Sequence, residues 1–189
     1  MYDEHNPKIA EGMRRDPETF IRGALFAVLS IRQPVIYVPD MLAEVDREGR
    51  NAQSLFGFKR DSFDYLQEHG TQVWDAVCGA KDARGAVYAA TRVPGLGIVK
   101  GAFVAQLAGF DVACLDGRNL VRLGHDRDTW KVRGEKDKAT RAFGKKLDRY
   151  LAQVEGRARE FWDDWCCDVA PRWKRTPQEI SELHLAIVN

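Results

Sequence analysis

The sequence predicts an all-α fold, and three observations carry that expectation. Helix-start signals recur along the chain: Asp16-Pro17-Glu18, Val38-Pro39-Asp40 and Thr176-Pro177-Gln178-Glu179 each place a capping or acidic residue beside a proline in a first turn. Apolar residues between these signals recur at helical spacing, as in Phe20, Ala24, Ala27 and Val28. Strand signals are scarce. Val35-Ile36-Tyr37-Val38 is the one β-rich run singled out, and Pro34 and Pro39 limit it to at best an isolated extended piece.

Each element has its own local reason. Asp16 caps a helix that runs to about Ile31, with Pro17 in its first turn and Glu18 at its positive end. Met41 to Arg47 reads as a short helix, followed by a loop at Glu48-Gly49-Arg50-Asn51. Asp61 to Glu68 and Thr71 to Cys78 read as two helices separated at His69-Gly70. Ala83 to Thr91 and Ile98 to Ala108 form a pair around a tight turn, and Gly109 ends the second. Asp111 to Asp116 is a linking segment, and Asn119 to Leu123 opens the next helix. Glu135 to Gln153 and Arg157 to Asp168 read as long helices. Thr176 and Glu179 form a capping box for a last helix, Pro177 to Ile187.

Length and composition narrow the class. A chain of 189 residues is expected to form one domain, with 44% apolar and 30% charged residues as in a soluble globular protein. No apolar run approaches membrane-spanning length, and Met1-Tyr2-Asp3-Glu4-His5 lacks a secretory pattern, so a cytoplasmic protein with no membrane partner is expected. Cys78, Cys114, Cys166 and Cys167 have no metal-ligand spacing and read as buried free thiols. His5, His69, His125 and His184 are likewise scattered, and the expectation is no metal and no cofactor. Net charge is only +1, but Arg118 to Arg149 holds eleven Lys and Arg against five Asp and Glu. That local excess suits either a phosphate-facing surface or a solvated helix face.

Two stretches could carry chemistry. In Val93-Pro94-Gly95-Leu96-Gly97-Ile98-Val99-Lys100, Pro94 presets a turn and the two glycines permit conformations other residues avoid. The helix that follows begins with backbone N–H groups lacking an internal partner, so the backbone at Gly95, Gly97 and Val99, with Lys100 beside it, could clamp a phosphate. About twenty residues on, Asp116 follows the apolar run Val112-Ala113-Cys114-Leu115. A carboxylate at the edge of a buried run can face a cleft. It can equally be a helix cap, and one residue can do both.

Val-Pro-Gly-Leu-Gly at 93–97 resembles the helix-hairpin-helix motif of the HhH-GPD DNA glycosylase superfamily, and Leu115-Asp116-Gly117 sits at the spacing of that family's catalytic aspartate. The two motifs span residues 93–123, about a sixth of the chain. The resemblance implies an all-α HhH-GPD-like helical domain bound to double-stranded DNA, with Asp116 stabilising a cationic sugar or activating a nucleophile. Three departures accompany it. The four-cysteine iron–sulfur loop is absent. The position of the family's Schiff-base lysine, two after the second hairpin glycine, holds Val99; Lys100 lies one residue later, about 100° further around a helix. Asn119 stands three places after Asp116, where the family has His or Asn at the second. The lysine departure favours a monofunctional enzyme that hydrolyses the glycosidic bond with water, and leaves Lys100 as a phosphate contact or a solvated side chain.

Further expectations attach to single residues. Leu29-Ser30-Ile31-Arg32-Gln33 is similar to the family's Leu-Ser-x-Gln segment, which implies Gln33 or Arg32 as a wedge filling the gap left by a flipped base. Arg118 and Arg122 could contact the DNA backbone or solvent. Phe161, Trp162 and Trp165 could stack on a base, but their helical spacing also suits core packing. The function expected is a base-directed, DNA-binding enzyme. The alternatives are a phage-type thymine hypermodification enzyme on the same fold and a non-catalytic helix-hairpin-helix binding module.

Overall fold

In the computed structural model, helix α2, Pro17–Leu29, lies at the centre, because it is apolar on almost every face. Phe20, Ala24, Phe26, Ala27, Val28 and Leu29 are wholly buried in it. Helix α6, Ile98–Leu107, has the same character and packs against α2. The remaining helices are α1 Tyr2–Arg15, α3 Val38–Glu48, α4 Phe58–Cys78, α5 Ala83–Ala90, α7 Gly117–Arg122, α8 Arg141–Val154, α9 Ala158–Val169 and α10 Pro177–Glu182. The structure describes every residue except Arg127 and Arg133, and for Glu135 the backbone alone. Among the described residues there is no strand, only an isolated bridge between Val112 and Glu155. No described helix is long and apolar enough to cross a membrane. The all-α expectation holds.

The capping signals act as the sequence suggests. The Asp16 carboxylate accepts from the Thr19 backbone N–H at 2.8 Å with Pro17 in the first turn. Thr176 and Glu179 complete the capping box of α10. The helix is shorter than expected, however: a tighter 3-10 turn, Leu183–Ile187, replaces its second half. The expected helix from Glu135 is likewise divided. Its first residues form a 3-10 turn, Glu135–Ala139, and Thr140 then caps α8.

Other expectations are corrected. Val35–Tyr37 is a 3-10 turn that leads directly into α3, not an extended piece. Helix α1 has no counterpart in the sequence reading; Pro7 lies inside it and masks its pattern. The break at His69-Gly70 does not exist, and α4 is continuous. Gly70 is there for packing: a Cβ at that position would stand 2.5 Å from Ile21 of α2. The glycine lets the two helices approach closely, and its lower helix propensity, about 1 kcal/mol against alanine, is the cost.

The α5–α6 pair is a helical hairpin. Leu96 N–H closes its turn on the Val93 carbonyl at 3.1 Å. Gly95 has φ +79° and faces the Phe58 ring, where a Cβ would lie 2.5 Å away. This glycine is therefore required by the turn itself. Lys138 donates to the Thr91 carbonyl at 2.7 Å, at the negative end of α5.

A cycle tests the packing role of Gly70. Gly70→Ala is expected to give no stability gain in the native background. In Ile21→Ala it should recover about 1 kcal/mol of helix propensity. Urea unfolding of the four proteins measures this; equal effects in both backgrounds would show that Ile21 does not constrain the site.

Candidate functional site: a cavity beside a cationic cleft

After α6 the chain crosses the core as irregular backbone. Val112, Ala113 and Leu115 are fully buried. Their polar groups need partners there, because an unmet buried N–H or C=O costs about 1–3 kcal/mol. Tyr150 of α8 supplies two of them: its hydroxyl donates to the Ala113 carbonyl at 2.8 Å and accepts from Leu115 N–H at 3.0 Å. Burial raises the Tyr150 phenol well above its usual range, so it stays protonated and keeps both bonds. Ala113 N–H reaches the Val154 carbonyl at 3.2 Å, and Asn119 Nδ2 donates to the Cys114 carbonyl at 2.9 Å.

This scaffold delivers Asp116 to the start of α7. One carboxylate oxygen accepts from the backbone N–H groups of Arg118 and Asn119, at 3.0 and 3.1 Å, and the other from Trp165 Nε1 of α9 at 2.5 Å. Asp116 is thus the helix cap that the residues alone allowed. It also lines a cavity of about 100 Å³, with Lys100, Ser30, Gln33, Cys114 and Asn119 among its other walls. Phe26, Phe103, Phe161, Trp162, Trp165 and His184 make the apolar surface. Burial pushes the Cys114 thiol up to about 12, so at neutral pH it is a neutral wall atom.

A much larger cleft, about 1090 Å³, shares Ser30, Lys100 and Asp116 with the cavity. The hairpin lines it through Gly95, Leu96, Gly97, Ile98 and Val99. Gly97 caps α6 without a side chain, so no side-chain acceptor occupies that helix start. Cations surround it: Arg32, Arg118, Arg122, Lys131 and Arg172, with Lys100 at the boundary, against the carboxylates of Asp116 and Asp168.

The structure brings most of the expected residues together. Gly95, Gly97, Val99, Lys100, Asp116, Arg118 and Arg122 line the cleft, and Gln33 lines the cavity instead. Three of these side chains make contacts within the fold. Lys100, half-buried on the cleft wall, donates from Nζ to Ser30 Oγ at 2.8 Å and lies 4.9 Å from the centre of the Phe103 ring. Arg122 is held by Asp164 and Asp168 of α9, and Arg118 donates to the Asp168 carbonyl at 3.1 Å, so both brace α7 against α9. Arg127 and Arg133, counted in the basic excess, lie outside the described residues. The aromatic run is packed as its helical spacing suits. Phe161 and Trp162 are core, and with Trp165 they also wall the cavity. Among the cysteines, Cys167 is exposed rather than buried, and Cys78 and Cys114 are half-buried.

Three residues were missed. His184, Asn119 and Lys59 are all buried. His184 Nδ1 donates to the Ser181 carbonyl at 3.1 Å, and burial lowers its pKa from 6.5 to about 4, with Lys100 and His5 adding to the shift. Lys59 donates to the Leu29 carbonyl at 2.9 Å, and burial, then Lys100, lowers its pKa. The apolar neighbours Leu183, Leu185 and Ile187 were the available signal for His184; Lys59 had none. Among the described residues no group of three or more His, Cys, Asp or Glu could hold a metal ion. No family model, curated protein or solved structure matches the chain.

Two outcomes follow from this geometry. Tyr150→Phe should destabilise the fold by about 1–3 kcal/mol, since it strands Ala113 C=O and Leu115 N–H; denaturant titration reads this, and a loss below about 0.5 kcal/mol would mean the segment finds other partners. His184 ionises near pH 4 in the fold against an ordinary 6.5, so between these values the unfolded chain binds the extra proton. Stability should therefore fall as pH drops through that window, by up to about 1.4 kcal/mol per unit from this group. His184→Gln should flatten that part of the pH–stability curve, and an unchanged slope would contradict it.

Proposed function

We propose that the protein is a DNA-binding, base-directed enzyme in which the cationic cleft grips the backbone and the cavity receives one extrahelical base. The observation that carries this reading is the shared wall. Ser30, Lys100 and Asp116 belong both to an aromatic-lined cavity of about 100 Å³ and to a cleft edged by cations and an uncapped helix start. Phosphates favour the second environment, and a flat apolar ring with a polar edge favours the first. Besides capping α7, the Asp116 carboxylate stands on the wall shared by cavity and cleft, which is where a base-directed reaction would need it. The cleft surface and the hairpin's likeness to the HhH-GPD motif support double-stranded DNA as the partner.

The preferred reaction is hydrolysis of the N-glycosidic bond. Asp116 would stabilise positive charge developing on the sugar as the base leaves, or polarise the attacking water. Its contacts with Trp165 and two backbone N–H groups hold the carboxylate in place, so little reorganisation is needed as charge develops. A second reading rests on Lys100. Its placement in the same cavity makes an amine available for a covalent or substitutive reaction on the base or sugar, which also accommodates a hypermodification enzyme.

Asp116→Asn separates these roles. Asparagine is a good helix cap, so the fold and DNA affinity should be retained. Base-directed activity should drop by a factor of about 10² or more, as when one electrostatic stabiliser is removed. Full activity in a folded Asp116→Asn protein would place the chemistry elsewhere. Borohydride added to a reaction on DNA traps a Schiff base; no adduct is expected, and an adduct lost in Lys100→Ala would replace hydrolysis with the lysine reaction. DNA binding should weaken linearly on a log–log salt plot, by roughly 0.9 per phosphate neutralised. Gly97→Leu should weaken it further without unfolding, because a Cβ at Gly97 meets only Val132 at 3.6 Å. Unchanged affinity in that variant would remove the hairpin from the interface.

A further inference from the structure

His184 leaves one ring nitrogen open on the small cavity. The residue is 2% exposed and lies in the 3-10 segment Leu183–Ile187. Phe26, Phe103, Trp162 and Trp165 surround its ring, with centroids between 4.4 and 6.0 Å away, and all four also wall the cavity. Nδ1 meets the Ser181 carbonyl at 3.1 Å. A carbonyl can only accept, so the proton sits on Nδ1 and Nε2 carries a bare lone pair. No described residue bonds Nε2. Among the described residues, the unpartnered side-chain atoms sealed from solvent are Arg22 Nε, Asn119 Oδ1 and Trp130 Nε1. Nε2 of His184 is not one of them, so it borders open space, and the space that this buried residue lines is the cavity.

The surroundings define what that nitrogen can take. Burial, with Lys100 and His5 adding to it, holds the His184 pKa at about 4, so the ring is uncharged at neutral pH. Nε2 is then a standing acceptor and calls for a donor. A cationic donor is disfavoured, because Lys100 on the same cavity already opposes positive charge at this ring. An anion would meet the Nε2 lone pair and the Asp116 carboxylate. A purely apolar occupant would leave Nε2 unmet. What remains is an uncharged group with an N–H or O–H edge and a flat face for the aromatic walls. Water meets the first need but not the second, whereas a nucleobase meets both. Lys100 Nζ spends one of its three protons on Ser30 Oγ, so an acceptor on the same occupant also has a donor within the cavity.

We propose that His184 Nε2 is the acceptor that orients the occupant of this cavity, and that the occupant is a nucleobase donating an uncharged N–H to it. The inference rests on the base-directed reading for the class of occupant, and adds to it the residue that holds the base. His184 is a binding residue here and takes no part in bond cleavage.

The test uses the full chain with 15N-labelled histidine. Imidazole spectra of the free protein should show the His184 proton on Nδ1 and a bare Nε2; a proton on Nε2 would refute the proposal at once. The probes are 1-methylthymine, 1-methylcytosine, 9-methyladenine and 9-methylguanine, each carrying a methyl where a sugar would be. At least one should shift the Nε2 resonance, and its counterpart with every N–H methylated should bind roughly tenfold more weakly, the loss of one bond to a buried acceptor. His184→Phe keeps a ring in the wall but has no acceptor, so it should weaken the base by a similar factor and leave the methylated counterpart unchanged. The comparison in the unmodified chain stands even if the variant misfolds. An Nε2 resonance that no base moves at millimolar concentration means that water alone meets the acceptor, and overturns the proposal. Equal binding of a base and its methylated counterpart does the same, as does a preference that survives in folded His184→Phe. DNA affinity is measured separately. Base binding at Nε2 in a chain that binds no DNA would refute the DNA-binding reading alone, whereas salt-sensitive DNA binding with no response at Nε2 would refute this inference alone.

Discussion

Everything at the candidate site depends on the burial of an irregular segment. Residues 112–115 cross the core with no helix to satisfy their backbone; Val112 N–H reaches the Phe110 carbonyl at 2.8 Å, and the polar groups beyond it take partners from outside the segment. Tyr150 provides one donor and one acceptor with a single hydroxyl, and Val154, also of α8, provides another acceptor. Asp111 answers at the other end, where its carboxylate accepts from Ala158 N–H at 3.0 Å at the start of α9. The result is a rigid strut between α8 and α9, and Asp116 sits at its end. Had the segment been exposed, the same sequence would leave the carboxylate on a loose loop, and the two N–H bonds from α7 could not fix it relative to Trp165.

The polarity of α2 sets up the opposite side. Its last carbonyls carry partial negative charge, and two lysines meet that end. Lys59 takes the Leu29 carbonyl in a fully buried position, while Lys100 takes only the Ser30 hydroxyl. The division has a chemical consequence. A buried ammonium bonded to a helix carbonyl is committed to the fold, because releasing it would strand both groups. A half-buried ammonium bonded to a serine hydroxyl on a cavity wall can exchange that neutral partner for a ligand atom at little cost. Of the two cations at this helix end, Lys100 is therefore the one available to an occupant.

The fold was legible where local chemistry decides it. Asp16, Asp116 and Thr176 are helix caps because of side-chain bonds made within three residues, and such bonds are written in the sequence. The elements misread are those that tertiary contacts decide. Gly70 looks like a helix breaker until Ile21 of α2 lies against it, and Val35–Tyr37 looks extended until α3 starts directly behind it. The site shows the same division. Asp116 and the hairpin were visible because motif spacing is sequential. Asn119, His184 and Lys59 were not, because their importance comes from burial beside groups up to 84 residues away, as with Lys100 against His184. The Lys100 contact with Ser30 was hidden for a related reason: a helical-wheel angle locates a Cα–Cβ bond, whereas a long side chain sets its charge by what it meets in the fold.

The ion pairs of Arg122 connect the two halves of the site. Asp164 and Asp168 of α9 hold Arg122 of α7, and the same two helices carry Trp165 and the cap position of Asp116. A change in the angle between α7 and α9 would therefore alter the cleft wall and the cavity wall together. The pairs are partly exposed, and exposed pairs contribute only about 0–1 kcal/mol each. Arg118 adds a further contact between the same helices through the Asp168 carbonyl, so the seating of α7 on α9 sets the cleft wall and the Trp165 bond to Asp116 together.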